Sequence, residues 1–150
     1  MNRRREFALL AGCLAVGIFI ALNWSPLLPS KHSASHVIAA LNYRNEAATI
    51  ENKVCGPGVA CTPSQEDWDA IYSYYERALS EARQADILDL NRQHPGFGDH
   101  FKNEFIEGLA MIVEAGNEPA KRSESIEGQI LVHRFGDWFE ANEDAIRNGK

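Results

Sequence analysis

The sequence predicts an all-α protein: a single N-terminal transmembrane helix followed by a small antiparallel bundle of about three to four helices. Three observations carry that expectation. Phe7 to Trp24 is an 18-residue run without a charge. Beyond it, apolar residues recur at the three- and four-residue spacing of helices with one buried face. The 150 residues, 45% of them hydrophobic, suffice for one modest core. The organisation that follows is a basic N-terminus and signal anchor over 1–24, a linker, stalk helix and disulfide loop over 25–61, and an exported helical domain over 62–150.

The anchor rests on length and flanks. At 1.5 Å per residue the run spans roughly 27 Å, near the thickness of a hydrocarbon core, whereas a cleaved signal peptide has an apolar region of only about 7–15 residues. Arg3, Arg4 and Arg5 precede it, Trp24 suits the far interface, and Pro26 and Pro29 stop the helix beyond. The arginines should therefore stay cytoplasmic and the C-terminal domain lie outside, in the periplasm of a bacterial-type inner membrane. Two processing alternatives stay open. Leu10-Ala11-Gly12-Cys13 resembles the lipobox of bacterial lipoproteins, although Leu14 to Leu22 continues apolar where a polar tether would be expected. Ser33-Ala34-Ser35 has the small residues of a signal-peptidase site but lies far past the apolar run.

The chain carries a net charge of −6, and Arg3–Arg5 against Glu6 leave −8 beyond the anchor. An acidic domain repels phosphate backbones and anionic headgroups, so nucleic acid is not an expected partner. Cys55 and Cys61 bracket Gly56-Pro57-Gly58-Val59-Ala60, and a disulfide is expected between them; five intervening residues suit neither a metal pair nor a redox motif.

The exported elements follow in order. Val37, Ile38, Leu41 and Ala48 could form a weak stripe on a polar stalk helix near 35–53. Thr62, Pro63 and Gln65 read as cap, first helical residue and capping box of a long helix with Trp68, Ile71, Tyr72, Tyr75, Leu79 and Ala82 on one face, ending near Leu90 to Gln93. His94-Pro95-Gly96-Phe97-Gly98 breaks the pattern. Asp99 should then cap a helix carrying Phe101, Phe105, Leu109, Ile112 and Val113 inward, with Gly116 as its stop. Residues 123–145 read as a further helix through Ile126, Ile130, Leu131, Phe135, Trp138 and Phe139, with a strand between Gly128 and Gly136 as the alternative.

The chemistry-bearing residues are sparse. His94, Asp99, His100 and Glu104 surround the Pro-Gly loop and could converge on a metal; the plainer reading is a histidine at a helix end and an exposed His100–Glu104 pair. His32 and His36 are four apart in a Ser-rich stretch. Glu104 with Glu107 or Asp137 are nominal paired carboxylates for glycan cleavage. There is no Gly-x-Ser-x-Gly elbow, no phosphate-cradling glycine loop and no cofactor motif. Tyr74 points about 200° from Tyr72 on the helical wheel, so Tyr74, with Trp138 and Phe139, is a candidate contact surface. The function expected is a membrane-anchored periplasmic interaction protein, an accessory subunit, inhibitor or regulator of an envelope complex; the rival is a tethered envelope enzyme or metal-binding module.

The topology predicts that a reporter fused after Lys150 is active only if it works outside the cytoplasm. Activity from a reporter that functions solely in the cytoplasm would contradict it.

Overall fold

Helix α1 (Lys31–Cys55) and helix α2 (Gln65–Ala82) run antiparallel as the first wall of the fold. Two side-chain contacts bridge them: the Tyr75 hydroxyl donates to Glu51, and His36 Nδ1 lies 2.7 Å from Glu81 Oε2. The computed structural model describes residues 31–56, 61, 63–117 and 122–148. These are helical and contain no strand, and no helix among them is long and apolar enough to cross a membrane. The anchor expected over Phe7 to Trp24, and Cys13 with it, lie outside the described residues.

α1 is a wall of the core and not a free stalk. Its inward face alternates small and medium apolar residues, with Val37, Ala40 and Ala47 wholly buried and Leu41 and Ala48 nearly so. Alanines let the neighbouring helix approach closely, and a helix can be polar on average while still presenting a narrow buried stripe. The 61/62 boundary therefore divides elements that share one core. Ser33 and Ala34, considered above for cleavage, are helical and buried, and the Ser33 hydroxyl accepts a hydrogen bond from the Asp86 N–H.

α2 starts two residues later than Thr62 and Gln65 suggest. Ser64 is the N-cap: its hydroxyl accepts from the Asp67 N–H at 3.1 Å, and the Asp67 carboxylate accepts from the Ser64 N–H at 2.9 Å. Those bonds hold the Asp67 carboxyl below its usual range. Gln65 instead donates to Asp69. The helix also ends at Ala82 and does not run to 90–93. A tight turn follows, and Asp86 caps a short helix α3 (Ile87–Gln93) by accepting from the Leu88 and Asp89 N–H groups. No glycine or proline marks that break, which is why hydrophobic spacing alone reads through it.

Gly96, with φ of +86°, reverses the chain into α4 (Phe97–His100). That turn continues into a π-helical stretch (Phe101–Ile106) and then α5 (Glu107–Asn117). Asp99 is not the cap; its carboxylate accepts from Asn91 Nδ2. Gly116 is the penultimate residue of α5, which runs to Asn117. Residues 122–148 form one helix, α6 (Arg122–Asn148), which settles the helix against the strand. Its buried stripe is Val132, Phe135 and Phe139, whereas Ile126 and Ile130 face outward. Phe97, Phe101, Phe105 and Phe135 stack in the centre, with ring centroids 5.1–6.2 Å apart.

α5 and α6 cross at Gly108 and Gly128. A Cβ on Gly108 would sit 2.6 Å from the Gly128 carbonyl oxygen, and one on Gly128 would sit 2.5 Å from the Gly108 oxygen. Neither obstacle is a side chain that could swing away. Gly136, also in α6, has open space around it. We therefore expect Gly108→Ala and Gly128→Ala each to destabilise the protein by about 1–3 kcal/mol through overpacking. Gly136→Ala should stabilise it by about 0.5–1 kcal/mol through helix propensity alone. Thermal melts of the three variants provide the measurement, and a uniform sign would contradict the crossing.

Candidate functional site

Tyr75 sits midway along α2 on its inward face, and its side chain is 1% exposed. A phenol so buried must find partners for its hydroxyl. It donates to Glu51 Oε2 on α1 at 3.0 Å and accepts from Gln129 Nε2 on α6 at 3.0 Å. Burial, and then the Glu51 carboxylate, push the Tyr75 hydroxyl well above its ordinary pKa, so it remains a donor at any physiological pH.

Glu51 forms part of the floor of a half-open cleft of about 680 Å³. Protein crowds its carboxyl, and this desolvation raises its pKa to about 7, against the lowering effects of the Tyr75 hydrogen bond and the nearby Arg44. Arg44 is one of the few charged groups in the interior, 5% exposed and two helical turns before Glu51. From α2 the cleft receives Trp68, Asp69, Tyr72 and Glu76. α5 supplies Ile112 and Gly116, and α6 supplies Ser125. Trp68 stacks on Tyr72 with centroids 5.8 Å apart. Tyr72 lies flat against Gly116, where any Cβ would overlap its ring, so this glycine gives the aromatic wall its position.

Trp68, expected within the buried stripe of α2, is 37% exposed. It lies in the first turn of α2 and lines the cleft. The described lining contains three carboxylates and no Lys, Arg or His.

The residues singled out from the sequence lie elsewhere. Cys55 and Cys61 are joined by a disulfide, with Cα atoms 4.1 Å apart, at the C-terminal end of α1. Tyr74 is partly buried against Tyr43, and the Arg77 guanidinium lies 5.9 Å from both rings; it is held in an intramolecular cation–aromatic cluster. Phe139 is 5% exposed and belongs to the core, which leaves it no contact surface. Trp138 is half-buried. One face stacks on His100 at 4.3 Å, its ring also neighbours Phe97, and the His94 ring approaches its edge at 6.1 Å.

Asp99, His100 and Glu104 have side-chain partners of their own, whereas the buried His94 Nδ1 has none among the described residues. His94 is the C-cap residue of α3, Asp99 bonds Asn91, and His100 Nδ1 lies 3.0 Å from Glu104 Oε2. The two histidines converge on the Trp138 ring. Among the described residues no group of three or more His, Cys, Asp or Glu is arranged to hold a metal ion. Glu104 and Glu107 lie on the π stretch and the first turn of α5, and Asp137 pairs loosely with His133 at 3.7 Å. None of the three lines the cleft.

No protein-family model, curated protein or solved structure matches the chain, and the reading of the cleft rests on its own chemistry.

Because the folded Glu51 pKa of about 7 lies above its ordinary 4.5, the folded state binds more protons than the unfolded state between those values. The associated stability is fully present below about pH 4.5 and is lost as pH rises through 7. Raising pH from 5 to 8 should therefore cost on the order of 3 kcal/mol at this site. Glu51→Gln, which still accepts from Tyr75, should flatten that part of the profile. Parallel wild-type and variant melting curves across this range would contradict the assignment.

Proposed function

We propose that the chain is a membrane-anchored helical interaction protein of the periplasm, an accessory subunit, inhibitor or regulator of an envelope complex, and that the Trp68–Glu51 cleft is its contact site. The observation that carries the contact reading is the cleft itself, with an exposed indole stacked on a tyrosine at its wall. Tryptophan and tyrosine bury large areas at low conformational cost and dominate the energetics of interfaces. The anchor is supported by the uncharged Phe7 to Trp24 run behind three arginines, and an oxidising compartment by the Cys55–Cys61 bridge.

A tethered acid–base enzyme is the second reading. Its favouring observation is Glu51, a cleft carboxyl with a pKa of about 7 beside a tyrosine hydroxyl. The contact reading is preferred because Tyr75 is sealed in the interior and holds Glu51 in place, without facing the cleft as a second acid–base group.

A photocrosslinking amino acid at position 68 distinguishes the two. In native membranes it should join the chain to one defined envelope protein, while the same group at the exposed Glu140 position should not. If position 68 captures no protein, the contact reading falls and the enzyme reading takes its place.

A further inference from the structure

The domain has two ends, and the chain from the anchor enters at one of them. The Ser33 hydroxyl, in the first turn of α1, accepts from the N–H of Asp86, the cap of α3, at 3.2 Å. The start of α1, the turn after Ala82 and the start of α3 therefore meet at the entry end. The cleft lies at the other: from Ser33 to Glu51 the axis of α1 rises roughly 27 Å. Trp68, Gly116 and Ser125 border the cleft from the first turn of α2, the last turn of α5 and the first turn of α6.

Chain length limits how far the entry end can stand from the lipid. Trp24 closes the uncharged run and Lys31 opens α1; whatever path they take, the residues between span at most about 25 Å. Four large hydrophobic residues are exposed among the described residues, and Leu88, at 68%, is the most open of them. It lies at the entry end, two residues after Asp86. Trp68 belongs to the cleft, and Ile126 and Ile130 to the first three turns of α6. A lone exposed leucine is ordinary on a surface in water. Here its place in the fold counts: with Phe7 to Trp24 in a bilayer, lipid is its nearest apolar medium.

We propose that the α3 end of the domain rests on the membrane, Leu88 entering the boundary between headgroups and acyl chains, so that the Trp68–Glu51 cleft is carried outward along α1. This rests on the anchor and on the reading of the cleft as the contact site, and it adds that the partner is met on a part standing clear of the membrane surface. Tethering makes the docking intramolecular in effect, so one leucine is enough to bias the orientation. Arg92, exposed and one turn after Leu88, puts its charge at headgroup level while its stem stays beside the leucine. Arg83 is exposed in the turn before α3. Asp86 and Asp89 offset these charges, the first accepting from helix N–H groups and the second from Gln93 Nε2. With the local charges balanced, docking should depend on the leucine and not on anionic lipid.

Spin-label accessibility on the full chain in phosphatidylcholine vesicles tests this. In a Cys13→Ser background, with Cys55 and Cys61 bonded to each other, a cysteine introduced elsewhere is the one thiol open to the nitroxide. Oxygen concentrates in lipid and a water-soluble nickel chelate is excluded from it. The oxygen-to-nickel collision ratio at Leu88→Cys should be about threefold or more above that at Glu76→Cys in the cleft, as for a residue at the acyl boundary. The ratio at Arg92→Cys should also be raised, and should fall to the Glu76→Cys value when Leu88→Glu, an exposed change that leaves the core intact, is added. Mixing in phosphatidylglycerol should leave these ratios unchanged. Equal ratios at positions 88 and 76, in vesicles that carry the chain, overturn the docking and leave the anchor in place. A label at 88 shielded from both reagents means that protein, a partner or a second copy, covers Leu88, and overturns it too. So does a raised ratio that appears only with phosphatidylglycerol. If the chain fails to float with the vesicles, the anchor falls and the docking with it.

Discussion

The hydroxyl of Tyr75 is the constraint around which the rest is arranged. A phenol with 1% exposure needs a partner for its proton and for its lone pair, and the fold supplies one from each flank, Glu51 on α1 and Gln129 on α6. Three helices separated widely in sequence are thereby tied at one atom. The cost is a carboxyl held in a crowded place, where ionisation is disfavoured. A cleft floor with near-neutral acidity is therefore a by-product of satisfying the core.

Small residues set the remaining distances. Gly108 and Gly128 let α5 and α6 touch backbone to backbone, and Gly116 lets the Tyr72 ring lie flat on α5. Alanines do the same work less tightly along α1 and α2. With the helices drawn this close at one end, the Phe97, Phe101, Phe105 and Phe135 rings fill the space at the other. The cleft forms along α2 between Gln65 and Glu76, with Trp68 in the helix's first turn.

Much of this was legible in the sequence, and the failures have physical causes. The helical class, the Phe101-to-Ile112 stripe and the Cys55–Cys61 bridge follow from spacing and loop length. The break after Ala82 escaped because Asp86, a cap with no flanking glycine or proline, is a weaker signal than continuing periodicity. α1 looked like a stalk because mean polarity hides a narrow alanine stripe. The cleft was invisible for a different reason: its parts come from four helices separated in sequence. The one hint was on α1, where Arg44 and Glu51, seven apart and so on one face, interrupt an otherwise apolar stripe. Phe139 shows the converse, since wheel position alone could not tell that the core takes it in.

The π-helical stretch over Phe101–Ile106 carries a consequence for ancestry. Such a stretch holds one more residue than the α-helical turn it replaces, and one residue rotates everything before it by about 100° relative to everything after it. The Phe97–His100 turn and α5 therefore answer to two separate neighbours. The first turn presents His100 to Trp138, and the second presents Gly108 to Gly128. An uninterrupted α-helix could satisfy one of these registrations but not both. A single-codon insertion is the simplest origin for such an arrangement. Homologous chains that lack the extra residue would then have to give up either the indole–imidazole stack or the glycine crossing, and their residue at 108 or 128 would record which one they kept.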